Sequence, residues 1–339
     1  LTADAADLTG YVSSYIPDEC FSLTINDTGN SAFIISGKQS ATTNLDYRKR
    51  IYTYKWFLRN TGSGPERVQN SWSYWEFGAD EILQVICIRE SLYCLMRYGS
   101  KVYLEVMSVL DRADEVVFAP YPLLLDRLVG TTTATPGLVR MAKGVYNKQD
   151  NETTFTLPYV ATSEVQVWSA YNMGGSGKPG PVYLGSTSSG TTIKARGDWS
   201  AEDVWAGEKY EFRYRFSRFK LMQEIGGGKA PRSVVRTQVR QAKLGYHESG
   251  FFQVKTLPEH RQEGLYTFDG TTIAVRGSSI GNPPVMTDAA PRFYEGVFNV
   301  PIMGRGDRVL VELLNDTPHP SKFSTVEWIG MVTTRSGAA

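Results

Sequence analysis

Cysteine and histidine are scarce in this sequence, and their scarcity limits the chemistry that it can support. The 339 residues include three cysteines and three histidines. His247, His260 and His319 lie far apart, and none occurs in the HxxxH or HExxH spacing of a metal site. No GxSxG motif of a serine hydrolase is present either. We therefore expect no metal, no other cofactor and no identifiable catalytic residue.

The cysteines do not suggest a disulfide framework. Cys87 and Cys94 lie within the apolar stretches LQVICI and LYCLMRY, where a thiol behaves as a small hydrophobic group. Together with Cys20 they make an odd number, so we expect buried thiols and assembly in a reducing cytoplasm.

Long apolar runs and a secretory leader are also missing. No apolar run approaches the roughly 20 residues that span a bilayer, so we expect no membrane-spanning segment. Residues 1–10 contain neither the basic nor the apolar part of a signal peptide. Because the sequence does not begin with methionine, we interpret it as part of a longer polypeptide.

An excess of either charge is absent as well. Lys and Arg number 36, Asp and Glu number 35, and the formal net charge is +1. A chain with this balance has no general attraction for nucleic acid or for an anionic membrane. Any such role would depend on a local patch.

What the sequence has in abundance is β-forming residues separated by turn residues. Stretches such as SAFIIS, ILQVICI, SLYCLMRY and KVYLEVMSV alternate with turns rich in Gly, Asn and Asp, at intervals of about 8–12 residues. This pattern predicts an all-β protein with little helix. The helical candidates are a turn at residues 123–128 and a short segment at residues 200–207.

Two regions are expected along the chain. Residues 1–120 contain a weak repeat of about 45–50 residues, the length of a propeller blade. We interpret this region as propeller-blade-like antiparallel strands, and as incomplete, because two blades cannot close a propeller. Residues 121–339 are predicted to form a β-sandwich or platform-type β region.

One segment, residues 209–243, is strongly basic, with ten Lys or Arg residues and two Glu residues. Arg213 and Arg215 share one face of a predicted strand, opposite Phe212, Tyr214 and Phe216. The segment could face DNA, it could be an ordinary solvated strand face, or it could pair with acidic groups on a neighbouring subunit. The candidate channel or subunit-contact residues are Arg213, Arg215, Arg232, Arg236, Arg240 and Lys243.

Two glycine-containing stretches have simple structural interpretations. EIGGGKAP lacks the spacing of a phosphate-binding loop and predicts a hairpin tip. Arg305-Gly306-Asp307 is the tripeptide that integrins bind, but the alternating stretch DRVLVELL follows it. We therefore predict a β-turn at the tip of a hairpin there, in which Gly304 and Gly306 supply conformational freedom.

The C-terminal run GVFNVPIMGRGDRVLVELLNDTPHPSKFSTVEWIGMVTTR resembles the closing segment of the tail tubular protein B family, the tail nozzle of short-tailed phages. That family combines a strand rich in Phe, Val and Pro, a basic-Asn-Asp turn, a VELIND-(T/S)-P-P strand end and an S-EW-G strand. The matching residues are Phe298, Pro301, Arg305, Asp307, Val311, Glu312, Asn315, Asp316, Pro318, Pro320, Glu327, Trp328 and Gly330.

Collinear matches extend the resemblance over about residues 31–335. VQNSWSYWEF, with Trp72 and Trp75, resembles the family's VQSAW-W strand. Further matches are SLYCLMRYGSKVYLEVMSVL, PLLLDRLV, TTFTLPY and GYHESGFFQVKT. The sequence departs from the family pattern at Gly306, where Asn is usual, and at its RSGAA end, where a basic cluster is usual.

The resemblance implies a structural protein of the phage tail, assembled in the bacterial cytoplasm, and a chain that is the C-terminal portion of a longer subunit. Nozzle proteins form a hexameric ring below the gatekeeper ring of tail tubular protein A. They close the distal end of the tail, contact the tail fibres and let DNA pass on ejection. The alternative function is a tail-associated glycan hydrolase with a carboxylate pair, or a carbohydrate-binding module, acting on host polysaccharide.

Overall fold

The computed structural model describes residues 8, 12, 22–26, 28–36, 45–61, 64–109, 123–131, 139–169, 183–220, 222–225, 228–231, 235–269 and 294–334. The chain divides into two units, residues 1–115 and 116–339. The described residues form 24 β-strands and one short 3-10 helix, Leu45–Lys49. The all-β class predicted from the sequence is confirmed.

The first unit contains two antiparallel sheets, each of which follows chain order. One has the order β1-β2-β3-β4 and the other β5-β6-β7. The predicted stretches SAFIIS, ILQVICI, SLYCLMRY and KVYLEVMSV form strands β2, β5, β6 and β7. Their bounds are β1 Ser22–Asn26, β2 Ser31–Ile35, β3 Arg50–Thr61, β4 Gly64–Glu76, β5 Glu81–Ile88, β6 Ser91–Tyr98 and β7 Lys101–Ser108.

A single apolar core joins the two sheets of the first unit. Phe33, Ile51, Leu92 and Cys94 are among its buried members. Cys94 is buried as predicted, and burial raises the pKa of its thiol to about 12. Cys87 is only half-buried, whereas Cys20 lies outside the described residues.

The first sandwich of the second unit packs a three-stranded sheet, β10-β11-β14, on a five-stranded sheet, β13-β12-β15-β8-β9. All of the pairings are antiparallel except β8 with β9, which is parallel. The bounds are β8 Asp126–Gly130, β9 Val139–Arg140, β10 Val145–Asn147, β11 Glu152–Ala161, β12 Val165–Ser169, β13 Tyr183–Thr187, β14 Gly190–Arg196 and β15 Val204–Glu208.

Both helical predictions are wrong. Residues 123–128 lead into strand β8, and residues 200–207 lead into strand β15. Strand β15 lies between β12 and β8, and all five of its residues are buried. A strand that is covered on both faces loses the alternation of apolar and polar residues that would have identified it.

The second sandwich packs the sheet β16-β23-β20-β21 on the sheet β22-β19-β24. The predicted hairpin at EIGGGKAP is also present, as the pair β17 and β18. The bounds are β16 Phe212–Arg215, β17 Met222–Ile225, β18 Gly228–Pro231, β19 Val235–Ser249, β20 Phe251–Pro258, β21 Gly264–Asp269, β22 Tyr294–Arg305, β23 Val309–Asn315 and β24 Lys322–Thr334.

The core of this sandwich decides which side chains face outward. Leu244 and Tyr246 of β19 and Val254 and Val311 of the opposite sheet belong to one buried cluster. Because side chains alternate along a strand, the residues between them lie on the two outer surfaces. These outer surfaces carry the basic residues that the sequence identified.

Candidate interaction surfaces

The outer surface of the sheet β16-β23-β20-β21 carries a pair of arginines around a buried glutamate. Arg215 lies opposite Glu312 across the β16–β23 ladder, and Arg213 is two residues away on the same face. The Arg213 Nη2 atom lies 3.0 Å from both carboxylate oxygens of Glu312, and Arg215 Nε donates to Oε1 at 2.5 Å. We call Arg213, Arg215 and Lys255, which lies opposite Glu312 on β20, the first basic face.

The two arginines neutralise a carboxylate that would be costly to bury alone. The Glu312 side chain is 1% exposed, whereas those of Arg213 and Arg215 are each 52% exposed. Burial alone would raise the pKa of Glu312, but the hydrogen bonds and charges of both arginines outweigh it and lower the pKa below the ordinary value. Glu312 therefore stays ionised and holds both guanidinium groups in place.

The predicted arrangement of strand β16 is confirmed. Arg213 and Arg215 share one face, and the aromatic residues lie on the other. Phe212 stacks on Phe323 at 6.5 Å between ring centroids, and Phe216 packs edge-to-face on Trp328 at 5.0 Å. The aromatic residues thus hold the short edge strand against the core while the arginines face outward.

The other basic candidates lie on the opposite side of the sandwich. Arg236 and Arg240 on β19 are exposed, and Lys243 is half-buried and pairs with Glu327 of β24 at 3.4 Å. We call Arg236, Arg240 and Lys243 the second basic face. Arg232 lies outside the described residues.

Residues 209–243 therefore do not form one continuous basic surface. The chain passes from sheet β16-β23-β20-β21 to sheet β22-β19-β24 within this segment. The two sheets share one core, so their outer surfaces point in opposite directions. A run that is basic in sequence becomes two separate faces.

Two shallow hollows on the described part of the chain each have one acidic residue in their lining. An open hollow of about 400 Å³ on the second basic face contains Glu327, and another of about 200 Å³ contains Glu259. Glu259 pairs with Arg308 at 3.4 Å. Neither hollow provides the two carboxylates that glycoside hydrolysis requires.

A search for other kinds of site among the described residues gives two further results. No three His, Cys, Asp or Glu side chains there come together in a way that could hold a metal ion. Within the same residues, no helix has the length and apolarity needed to cross a membrane.

The motif NDTPHP forms a buried turn after strand β23. The Asn315 side chain donates to the His319 carbonyl at 2.7 Å and accepts from the Thr317 backbone N–H at 2.9 Å. The Pro318 carbonyl accepts from the backbone N–H of Leu124 at 2.8 Å, and the His319 ring packs edge-to-face on Trp168. The turn thereby connects the two sandwiches of the second unit.

Asp316 and Pro320 complete this turn. The Asp316 carboxylate pairs with Lys209 Nζ at 3.2 Å, and the Pro320 carbonyl accepts from the Gly250 N–H at 2.9 Å. Every motif residue of the turn therefore has a contact within the second unit.

The Arg-Gly-Asp stretch is a β-turn, as predicted, but the predicted hairpin is wrong, because strands β22 and β23 on either side of the turn belong to different sheets. The Arg308 backbone N–H donates to the Arg305 carbonyl at 2.9 Å, and the Arg305 and Asp307 side chains form two hydrogen bonds with each other. We expected glycine at position 306 because of its conformational freedom. This reason is wrong, because the backbone φ of Gly306 is not positive. A Cβ at Gly306 would lie 2.8 Å from the Phe219 carbonyl oxygen, so glycine is needed there for space.

The tryptophans that carry the resemblance pack inside their own units. Trp75 packs on Phe33 in the core of the first unit, and Trp72 packs on Tyr54 at 4.8 Å between ring centroids. Trp328 contacts Phe219 at 4.3 Å in the second sandwich. These motif residues stabilise the fold rather than form a reactive site.

Sequence reasoning missed the role of the buried glutamates. The sequence identified Glu312 only as a residue of the family motif. A Glu in the middle of a strand of apolar residues is, however, itself a sign of a buried ion pair. For Glu208, the sequence shows only an acidic residue at the start of the basic segment. Glu208 binds Arg127 at 3.1 Å, and both side chains are at most 6% exposed.

Comparison with known proteins identifies one family and one relative. The model of a family described as bacteriophage nozzle protein matches residues 1–339. The chain is also 23% identical over 338 residues to the tail tubular protein gp12 of Escherichia phage T7. This alignment covers 98% of the chain and 39% of the relative, so the chain spans about two-fifths of that protein's length.

Proposed function

Because the chain belongs to the bacteriophage nozzle protein family, we propose that it is a structural component of a short phage tail and helps to close the distal end of the tail channel. The match of the family model to residues 1–339 carries this proposal. We further propose that the chain assembles with copies of itself into a ring, hexameric as in the family, and that DNA passes through the ring on ejection. Its other partners would be the gatekeeper, tail tubular protein A, and the tail fibres.

The two basic faces are the proposed contact surfaces of this ring. They lie on opposite outer surfaces of one rigid sandwich, so a subunit could present one face to the channel and the other to a neighbour. Their charge is local, since the whole chain has a net charge of only +1. A conduit that bound DNA tightly along its length would slow the passage of DNA.

We propose that the first unit is part of a larger propeller-like assembly of sheets. The order β1-β2-β3-β4 is that of a four-stranded propeller blade, and β5-β6-β7 is a shorter sheet of the same kind. The outer surface of the second sheet supports this proposal because it is apolar and open. Its exposed side chains are Ile86, Ile88, Val102, Leu104 and Val106, between 47% and 65% exposed.

Those five side chains form one continuous patch. Val106 lies opposite Tyr93, which in turn lies opposite Ile86, and Leu104 lies opposite Leu95. Three strands about 4.8 Å apart and eight residues long give the whole face an area of roughly 350–400 Å², which the apolar side chains share with Ser91 and Arg97. We propose that a further β-sheet of the nozzle covers this largely apolar face.

We propose a non-enzymatic role for the chain, in agreement with the structural character of its family. Each of the two hollows described above holds a single carboxylate that is paired with a basic residue. Incubating the purified chain with host polysaccharide should therefore release no reducing sugar. Release that is abolished by replacing one pair of acidic residues would instead establish a glycan hydrolase.

The proposed function can be tested by removing the chain from the phage. A stop codon at the first residue of this segment should give capsids that package DNA but fail to retain it, because the distal channel stays open. Supplying the intact gene from a plasmid should restore infectivity. Filled, infectious particles without the chain would contradict the proposal.

The proposed contact residues can be tested in the same phage. Charge reversal at Arg236 and Arg240 together should impair assembly or ejection, since repulsion would replace attraction at the second basic face. Charge reversal at Lys148, an exposed turn residue, is the matched control. Normal infectivity of the double variant would contradict the assignment of these arginines.

A further inference from the structure

We infer that Arg213 and Arg215 form a phosphate-binding pair on the first basic face, and that Glu312 both orients the pair and limits its strength. The ligand would be the phosphodiester backbone of duplex DNA. This inference rests on the proposed passage of DNA and deepens it, because it names the contact atoms and the means by which the contact stays weak.

Glu312 fixes the orientation of both guanidinium groups. Three hydrogen bonds of 2.5–3.0 Å join its carboxylate to Arg213 and Arg215. Arginine side chains on a sheet surface normally lose much rotamer entropy when they bind a ligand. Two arginines already held by a buried carboxylate have lost part of that freedom before DNA arrives, so less is lost on binding.

Arg215 keeps donors available for a ligand. Its Nε atom is committed to Glu312, but no acceptor among the residues that the structure describes takes a hydrogen bond from its two Nη groups. These groups form a planar fork that matches the spacing of two phosphate oxygens. The side chain is 52% exposed, so a ligand in solvent can reach the fork.

The charge balance of the face makes this contact a weak one. The charges of Arg213, Arg215 and Glu312 sum to +1, and Lys255 is paired with Glu263 at 2.6 Å. Each phosphate that a protein neutralises contributes about 0.9 to the slope of log K against log salt. One net charge per subunit therefore predicts weak, salt-sensitive contact that permits DNA to slide.

The neighbouring side chains favour a phosphate over an acidic protein as the ligand. Gln253 and Thr267, on the two strands beyond Glu312, bear neutral hydrogen-bonding groups of the kind that contact DNA phosphates and sugars. The Glu312 carboxylate between the two arginines is almost fully buried, so a polyanion that approaches this face contacts the arginines. A contact with the phosphodiester backbone of DNA also requires no complementary protein surface, which suits a ligand that moves past it.

The test measures binding of the full 339-residue chain to a fluorescent mixed-sequence duplex at several salt concentrations. Arg215→Gln should weaken binding several-fold at low salt and reduce the slope of log K against log salt by about 0.9. Arg215→Lys keeps the charge and should keep the slope. Lys148→Gln is the control with the same loss of charge at an exposed turn, and it should change the slope by much less.

A variant at Glu312 tests directly whether this carboxylate limits the strength of DNA binding by the two arginines. Glu312→Gln leaves both arginines without a counter-charge, so the slope should increase by about 0.9 and binding should tighten. Circular dichroism establishes that this variant is folded. If it is not, the pair Arg215→Gln and Arg215→Lys decides the inference alone.

Two results would overturn the inference. The first is an equal change in the slope of log K against log salt for Arg215→Gln and Lys148→Gln. The two Nη groups of Arg215 would then have no special role in binding. The other is binding of polyglutamate that duplex DNA does not displace, since the first basic face would then contact acidic groups of a neighbouring subunit. Either result leaves the proposed tail function standing, because the stop-codon experiment tests that function without reference to these residues.

Discussion

At the scale of single residues, two glutamates of the second unit lie almost completely inside the protein, and arginines from neighbouring strands bind both. Glu208 is paired with Arg127, whose guanidinium also lies 3.9 Å from the ring centre of Tyr159. The Arg127–Glu208 pair is buried on both sides and holds strands β8 and β15 together. The Glu312 site differs because its two arginines are half exposed, so it combines a buried anchor with an accessible surface.

The anchor at Glu312 should be visible in the stability of the chain. Glu312→Gln removes one partner of a buried ion pair and should lower the free energy of unfolding by about 2–3 kcal/mol, below the 3–5 typical of fully buried pairs because the arginines are half solvated. Urea unfolding at pH 7 measures this loss. Glu327→Gln, in an exposed pair with Lys243, should cost about 0.5 kcal/mol or less. Equal effects of the two variants would contradict the anchor role.

The same site gives a prediction about pH. The pKa of Glu312 is lowered in the folded chain from an ordinary value of 4.5. Its ionised form therefore stabilises the fold above pH 4.5, and this contribution is lost as the pH falls through the lowered folded-state pKa. Urea midpoints of the wild type and of Glu312→Gln should differ at pH 7 and converge as the pH falls below 4.5. A difference that stays constant with pH would show that charge is not the cause.

Gly306 gives a third prediction at the residue scale. Gly306→Ala places a Cβ 2.6 Å from Thr237 Oγ1 and 2.8 Å from the Phe219 carbonyl oxygen. Because that backbone atom cannot move away cheaply, the change should lower the free energy of unfolding by about 1–3 kcal/mol. Asp307→Asn in the same turn breaks only a half-exposed ion pair and should cost about 0.5 kcal/mol or less. A neutral Gly306→Ala would show that the turn relaxes without strain.

At the scale of elements, the sequence predicts strands best where one face is buried and the other is solvated. Strand β6 has the bounds expected from SLYCLMRY, and its burial alternates along its length. Strand β15 was missed because all five of its residues are buried, and its composition then resembles a short helix. The split of the basic segment could not be predicted either, since it depends on which sheet each strand joins.

The turn after strand β23 gives a prediction at the scale of elements. Asn315→Ala removes a buried side chain that makes four hydrogen bonds within the turn. Buried backbone groups would lose their partners, and the free energy of unfolding should fall by about 2–3 kcal/mol. Asp316→Asn, at an exposed pair with Lys209, should have almost no effect in the same thermal or urea unfolding experiment. A larger loss of stability in Asp316→Asn than in Asn315→Ala would show that the ion pair, and not the Asn315 side chain, stabilises the turn.

At the scale of the whole molecule, the chain combines buried cores with surfaces that a monomer has no need to expose. The apolar outer surface of sheet β5-β6-β7 and the two basic faces all lie on rigid strands. The sequence of a single chain does not show what covers such surfaces, because the neighbouring groups belong to other sheets and to other copies of the chain. The fold class and most strands could be predicted from local patterns, whereas the contact surfaces required the tertiary arrangement.

The apolar surface gives a prediction about assembly. Leu104 is 65% exposed, so Leu104→Lys should leave the isolated chain folded, as judged by its thermal unfolding. It should nevertheless block incorporation into tails, because a covered lysine in an apolar interface would have no partner. Thr156→Lys, at an exposed position of strand β11, should be incorporated normally. Normal tails with Leu104→Lys would show that this surface stays exposed in the virion.

The central claim is that this chain builds the closed distal end of a phage tail. Cryo-electron microscopy of intact virions tests it most directly, because it places every strand relative to the channel. We predict density for both units in a ring at the distal end of the tail, with Arg213 and Arg215 facing the channel. Density for the chain in the capsid shell or at a fibre tip would contradict it.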